Sequence, residues 1–275
     1  MVKQYAISKL LLTGVIFIST SVIALAENKG CDSIDHINKL SLGLEGFSYL
    51  FQTPNIAKRE GNFYGVNGSY SHYLAQDHFL RAEIRLAKGD TKYSSYNYGS
   101  IKREPNILLE PRILYNKSLR YSFLDISPYI GFGFRYAEVD GDGKITTIRD
   151  QDYFRRSYYY YMPIGLSVNY NLQKDWNLEI VGEYDIFLKG IQKEYIDMTV
   201  NKERVNKITF KQSKGYGLRS EILLNKTFDK YIFSIGPYIN YWKIQPSNVI
   251  KVAGQDWFVA KNKTREVGIK IKFTF

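Results

Sequence analysis

An all-β fold, a single antiparallel transmembrane β-barrel of about ten strands, is predicted by three observations on this 275-residue chain. Ten segments alternate apolar and polar residues with the period of a strand, whose successive side chains point to opposite faces. The connections alternate short and long, as a chain weaving through a membrane in strands requires. The composition holds 24 Tyr, 16 Phe and 21 Gly against three Met, with a mean hydropathy of −0.31, too polar for a bundle of membrane helices.

The elements follow in chain order. Residues 1–26 place Lys3 and Lys9 before an apolar run at 10–18 and close on Ala24, Leu25 and Ala26. This reads as a secretory signal peptide cleaved after Ala26, its run being shorter than the ~20 residues that span a bilayer as a helix. Residues 27–40 form a short periplasmic leader, and 41–275 the barrel. Cys31 is the only cysteine, so no internal disulfide forms. Asn28, Lys29 and Gly30 before it are not the small apolar residues that precede a lipidated cysteine.

Strands are predicted at 41–50, 63–73, 79–88, 101–115, 121–137, 157–172, 176–188, 213–228, 231–244 and 265–275. Short turns occupy 74–77, 116–119, 173–175 and 229–230, and long polar loops 51–62, 89–100, 138–156, 189–212 and 245–264. An even strand number puts both chain ends on the short-turn, periplasmic side and the long loops on the extracellular side. Pro111, Pro128, Pro163 and Pro237 fall inside strands, where each removes a ladder donor. Bulges are expected there, with the faces beyond them slipping by one residue.

The last strand supplies the phase. Val267, Ile269, Ile271, Phe273 and Phe275 alternate with Glu266, Gly268, Lys270, Lys272 and Thr274. With the apolar set facing lipid, the lumen receives Glu45, Arg81, Glu83, Arg85, Glu110, Arg112, Arg135, Glu179, Glu183, Asp185, Arg219, Glu221, Glu266, Lys270 and Lys272. Acids and bases nearly balance in this set, and an unpaired charge away from water is costly, so they are expected to pair and close the lumen. Tyr115, Tyr170, Trp176, Phe228, Tyr231 and Phe275 fall beside short turns, and Tyr64, Tyr136, Tyr158, Tyr160 and Tyr241 near the far rim, as interfacial girdles do.

The closing strand, ending on an aromatic residue, resembles the last strand of bacterial outer-membrane β-barrels. That resemblance implies the outer membrane of a Gram-negative bacterium, with Phe273 and Phe275 read by the barrel-assembly machinery. In size and strand number the chain also resembles the omptin surface proteases and the ten-stranded opacity-associated adhesins. Omptin catalysis uses acidic pairs and an Asp–His pair at the outer rim. Here His36 precedes the barrel and His72 and His78 flank a short turn, so no omptin residue carries over and no catalytic residue is assigned.

No cofactor or metal is assigned either. Asp140, Gly141, Asp142, Gly143 and Lys144 have the spacing of a calcium loop without its distal Glu and read as a turn. Removing Lys3 and Lys9 from a net charge of +11 leaves +9, which favours an anionic partner. Lipopolysaccharide phosphate or an acidic surface glycan meets that description in an outer membrane, and export excludes nucleic acid. Lys202, Arg204, Lys207 and Lys211, in the fourth long loop, are the candidate contacts. The expected role is structural or surface-interacting rather than enzymatic; a small solute channel and an outer-membrane hydrolase are the alternatives.

Overall fold

The structure, a computed structural model, describes residues 38–75, 77–148, 151–196, 198–200, 203–252 and 254–275. The expected signal peptide, almost all of the leader, Cys31 and His36 lie outside the described residues.

Ten long strands form the wall: β1 (Lys39–Thr53), β2 (Ala57–Ala75), β3 (His78–Ser95), β4 (Gly99–Lys117), β5 (Leu124–Val139), β6 (Phe154–Gln173), β7 (Trp176–Tyr195), β8 (Gly215–Phe228), β9 (Tyr231–Ile244) and β10 (Asn262–Thr274). Each pairs antiparallel with its neighbours in sequence, and β10 returns to β1, from Ser41 opposite Thr274 to Gln52 opposite Lys263. Even the final residue joins the ladder, Phe275 donating to the Leu40 carbonyl at 2.8 Å and accepting from its N–H at 3.2 Å. Such closure leaves none of these ten strands at the edge of a sheet.

The outside is a belt of side chains that water would not tolerate at this extent. Leu44, Val66, Ile84, Ile113, Ile130, Phe132, Ile180, Ile222 and Ile269 are all exposed on outward positions of adjacent strands. A contiguous apolar band around the wall is a lipid surface. Below it stand Tyr115, Tyr170, Trp176, Phe228, Tyr231 and Phe275, all exposed. Tyr231 packs edge-on against Phe275 with ring centroids 5.6 Å apart. Above it Tyr136 meets Tyr158 at 5.4 Å and Phe134 meets Tyr160 at 5.2 Å.

The strands continue beyond this upper girdle. Outward positions change to Lys88, Asp90 and Lys92 on β3 and to Arg103 and Pro105 on β4, with Arg103 paired to Asp90 at 2.9 Å in the open. Two of the expected long loops are therefore corrected. The segments 51–62 and 89–100 are mostly strand, joined by tight turns at 54–56 and 96–98. Both faces of these extensions are polar, so no period-two hydropathy marks them, and ladder pairing holds them instead. Likewise Ile208–Gln212 prolongs the line of β8 in an unchanged register along β7, Gln212 opposite Gly190 and Tyr216 opposite Ile186.

The proline expectation is also corrected. Register runs unbroken past Pro111, Pro128, Pro163 and Pro237. Ladder pairs are missing beside Pro111, Pro163 and Pro237, but no residue is inserted, so the faces do not slip. The register shifts instead lie at 73/75, 91/93, 160/161 and 171/173, near strand ends and the upper rim. The third of these expels Leu188, so that Phe187 and Gly190 both face inward.

On the extracellular side, short hairpins Met198–Val200 with Glu203–Val205 and Ile250–Val252 with Gln255–Trp257 rise from the wall. Buried Ile196, Ile208 and Phe210 gather Tyr153, Ile250, Val252, Trp257 and Val259 into a small apolar cluster over one side of the mouth.

Candidate functional site

Every inward position predicted from the phase of the last strand lies inside, and together they form a plug. Arg85 donates from Nε to Glu45 at 2.6 Å and from Nη1 to Glu266 at 2.7 Å. Arg135 binds the other oxygen of Glu266 and reaches Glu110 at 3.4 Å. Arg219 lies 2.5 Å from Glu110, 2.9 Å from Glu183 and 2.7 Å from Asp185. Arg112 bridges Glu83 and Glu183 at 2.5 and 2.6 Å. Glu110, only 2% exposed, is the hub where Arg85, Arg135 and Arg219 converge.

Nearer the periplasm, Lys270 pairs with Glu221, and Lys272 lies 3.6 Å from Glu221 and 4.0 Å from Glu179. Arg81 donates to Ser71 at 3.3 Å and approaches Glu83 at 4.0 Å. Charge-assisted bonds of this density are the strong kind, and the planar guanidinium fork suits several carboxylates at once.

Tyrosines complete the plug, and glycines make room for them. Gly133 stands directly opposite Tyr161, and a Cβ there would fall 2.2 Å from its ring. Gly165 stands opposite Tyr129, with a corresponding distance of 2.3 Å. Each ring therefore lies flat across a bare neighbour, and its hydroxyl reaches a lumen carboxylate: Tyr161 donates to Glu110 and Tyr129 to Glu183, both at 2.8 Å. Trp242 closes over Tyr161 edge-on at 5.0 Å, and the Arg219 guanidinium lies 5.5 Å from the Trp242 ring centre. Sequence reasoning missed these aromatics because an inward Tyr or Trp in a strand reads as ordinary core.

The plug separates two spaces. Below it, a cavity of about 130 Å³ lies among Glu83, Glu179, Glu221, Lys270 and Lys272. Above it, a vestibule of about 840 Å³ opens to the outside, lined by residues of the strand extensions and loops such as Tyr49, Arg59, Asp152, Arg155, Tyr159, Gln192 and Trp257.

One wall of the vestibule is fastened by a carboxyl pair outside the membrane band. Glu104, fully buried on β4, accepts from Arg59 Nε at 3.0 and 3.4 Å and from the Thr91 hydroxyl at 3.4 Å. Asp152, at the end of the third loop, accepts from Arg155 at 2.6 Å. Burial, reinforced by the facing Asp152, pushes the Glu104 carboxyl up to about 7 against the pull of Arg59. For Asp152, burial is outweighed by Arg155, the Glu104 hydrogen bond and Arg59, which hold it below its ordinary value.

A carboxyl raised in the folded state favours its protonated form. Its stabilisation is complete below the ordinary value of 4.5 and is lost as pH rises through about 7. Asp152 works in the opposite sense, its contribution being lost only as pH falls below its ordinary 3.8. Amide exchange in 140–148 and 151–153, corrected for intrinsic rate, is therefore expected to accelerate between about pH 5 and pH 8, and Glu104→Gln is expected to abolish that acceleration. A pH-independent wild type would contradict the latch.

The outer wall carries a second charged group. Lys243 on β9 stands directly opposite Lys263 on β10, and Arg265 lies one outward step below. Lys189 and Lys214 are exposed nearby, around stacked Tyr184 and Tyr216, whose centroids are 5.9 Å apart. Among the described residues none of these five cations has a carboxylate partner within ion-pair distance. Of the loop cations predicted for an anionic ligand, Lys211 is exposed beside this patch and Lys207 is exposed in the same loop. Lys202 lies outside the described residues, as does the side chain of Arg204. His78 is bonded to the Tyr115 hydroxyl at 2.6 Å at the periplasmic rim, far from any of these groups.

No protein-family model and no curated protein matches the sequence. Solved structures do. The outer-membrane protease OmpT from Escherichia coli aligns with a TM-score of 0.53 at 12% identity, over 90% of this chain and 99% of that one. The translocator domain of the autotransporter NalP from Neisseria meningitidis scores 0.41 at 11% identity, covering 98% and 99%. The toluene transporter TodX from Pseudomonas putida scores 0.36 at 8% identity, covering 88% and 90%. The chain thus has the fold of an outer-membrane β-barrel. At 12% identity the likeness to OmpT is one of fold and assigns no activity.

Proposed function

We propose that this barrel is a sealed surface-interaction protein whose outer wall engages the phosphates of lipopolysaccharide. The observation that carries the reading is the Lys243–Lys263 pair with Arg265 beneath it. Like charges directly opposed across a ladder destabilise a sheet unless an anion lies between them. These cations stand at the upper edge of the apolar belt, flanked by Tyr216 and Tyr241, the height at which headgroup phosphates meet a barrel. Cations bordering an anionic membrane surface contribute on the order of 1 kcal/mol each. Lys202, Arg204, Lys207 and Lys211 would extend the contact outward along the fourth loop.

The test compares binding of purified barrel to phosphorylated and phosphate-stripped lipopolysaccharide. The wild type is expected to prefer the phosphorylated form in a salt-sensitive manner. Replacing Lys243, Lys263 and Arg265 together by Gln is expected to weaken that binding by roughly 3 kcal/mol, about two orders of magnitude. Equal affinity for the two lipids, or an unaffected triple variant, would remove the proposal. In the same reading Phe273 and Phe275, both about half exposed on the lipid face of β10, are the residues presented to the barrel-assembly machinery.

A further inference from the structure

We propose that the extracellular vestibule is a binding site for a neutral saccharide. Its floor is the plug, so a molecule that enters must bind or leave by the same mouth. Its volume of about 840 Å³ falls within the range of small-molecule sites.

Charge selects the ligand class. Each guanidinium on the wall is already engaged: Arg59 with Glu104, Arg135 with Glu110 and Glu266, Arg155 with Asp152. Among the described residues no lysine lines the space. Among the described residues an anion meets no unengaged guanidinium here, and a cation would compete with Arg155 for Asp152 and Glu194, leaving it only the exposed, solvated Asp142. The vestibule is in this respect the opposite of the cationic outer wall, and the proposal is independent of that wall.

The lining then distinguishes a sugar from a hydrocarbon. Phe51, Tyr98, Trp257 and Phe258 offer rings, while the exposed Gln151 adds an amide to the same lining. A pyranose presents C–H groups on its faces and hydroxyls around its rim, matching both kinds of surface. A purely apolar ligand would cover the Gln151 amide without offering it a partner.

One feature asks for a hydroxyl in particular. Arg59 Nη2 and Asp152 Oδ2 lie 3.9 Å apart at the wall, within ion-pair range but too far apart to hydrogen-bond each other. A single hydroxyl set between them accepts from the first and donates to the second. A carboxylate or phosphate cannot donate to Asp152, and an ammonium cannot accept from Arg59.

The experiment uses the full chain in detergent with maltotriose, cellotriose and tri-N-acetylchitotriose as neutral probes, and heparin and toluene as the acidic and apolar controls. Calorimetry is expected to show saturable binding of at least one neutral trisaccharide, accompanied by a change in tryptophan fluorescence that Trp257→Ala removes. Phe258, 53% exposed at the lip, can be replaced without disturbing the fold. Phe258→Ala and Trp257→Ala are expected to weaken binding at least about tenfold, with barrel folding verified by heat-modifiable gel migration. Absence of saturable binding at ~10 mM for all three sugars, tighter binding of heparin or toluene, or undiminished affinity in Phe258→Ala would overturn the proposal.

Discussion

Arg219→Ala is expected to destabilise the barrel by about 3–5 kcal/mol in urea unfolding from lipid vesicles. The magnitude follows from what the substitution strands. Arg219 serves Glu110, Glu183 and Asp185 at once, and none of these carboxyls is more than 6% exposed. Removing the cation leaves buried charge uncompensated, which costs far more than the pair contributes relative to an apolar replacement. The double variant Arg219→Met with Asp185→Leu, which removes one charge of each sign, is expected to recover a large part of the loss. A cost below about 1 kcal/mol for Arg219→Ala would mean that the carboxyls are solvated and the lumen is wet.

The second large effect is conductance. Wild-type protein in planar bilayers is expected to give no stable steps, because the Glu110, Arg135, Arg219, Tyr161 and Trp242 layer fills the lumen between the two cavities. Replacing Glu110, Arg135 and Glu266 together by Ala removes the centre of that layer while leaving Arg85 with Glu45 and Arg219 with Asp185. Reproducible steps are expected from this variant. Reproducible steps from the wild type would instead revive the channel reading and dispose of the sealed one.

The wall was legible in the sequence wherever one face met lipid. Trp176, Leu178, Ile180 and Tyr184 alternate with Asn177, Glu179 and Glu183, and only a membrane barrel turns the first set outward and the second inward. The same phase located the lumen charges, because parity survives any distance along an unbulged strand. It survived even at the prolines, since a missing N–H deletes a pair without adding a residue. What escaped is structure held by pairing alone. Lys58, Glu60 and Asn62 face outward from β2 and Arg59 faces inward, so hydropathy there has no period and the extension reads as loop. The vestibule escaped for a related reason. Arg59, Glu104 and Asp152 are far apart in sequence, and nothing local marks them as neighbours.

The pairing of β1 with β10 has a consequence for the order of events in biogenesis. Ser41 and Thr274 share a side-chain hydrogen bond across a separation of 233 residues, and Arg85 meets Glu266 across 181. Contacts of that range form last, after the largest loss of chain entropy, and make closure the slow step. Until β10 arrives, Arg85 and Arg135 keep Glu110 but lack Glu266, the second carboxylate they share. A chain lacking this strand therefore leaves both arginines short of one buried partner each. The strand that closes the barrel is thus also the one that completes its buried charge network.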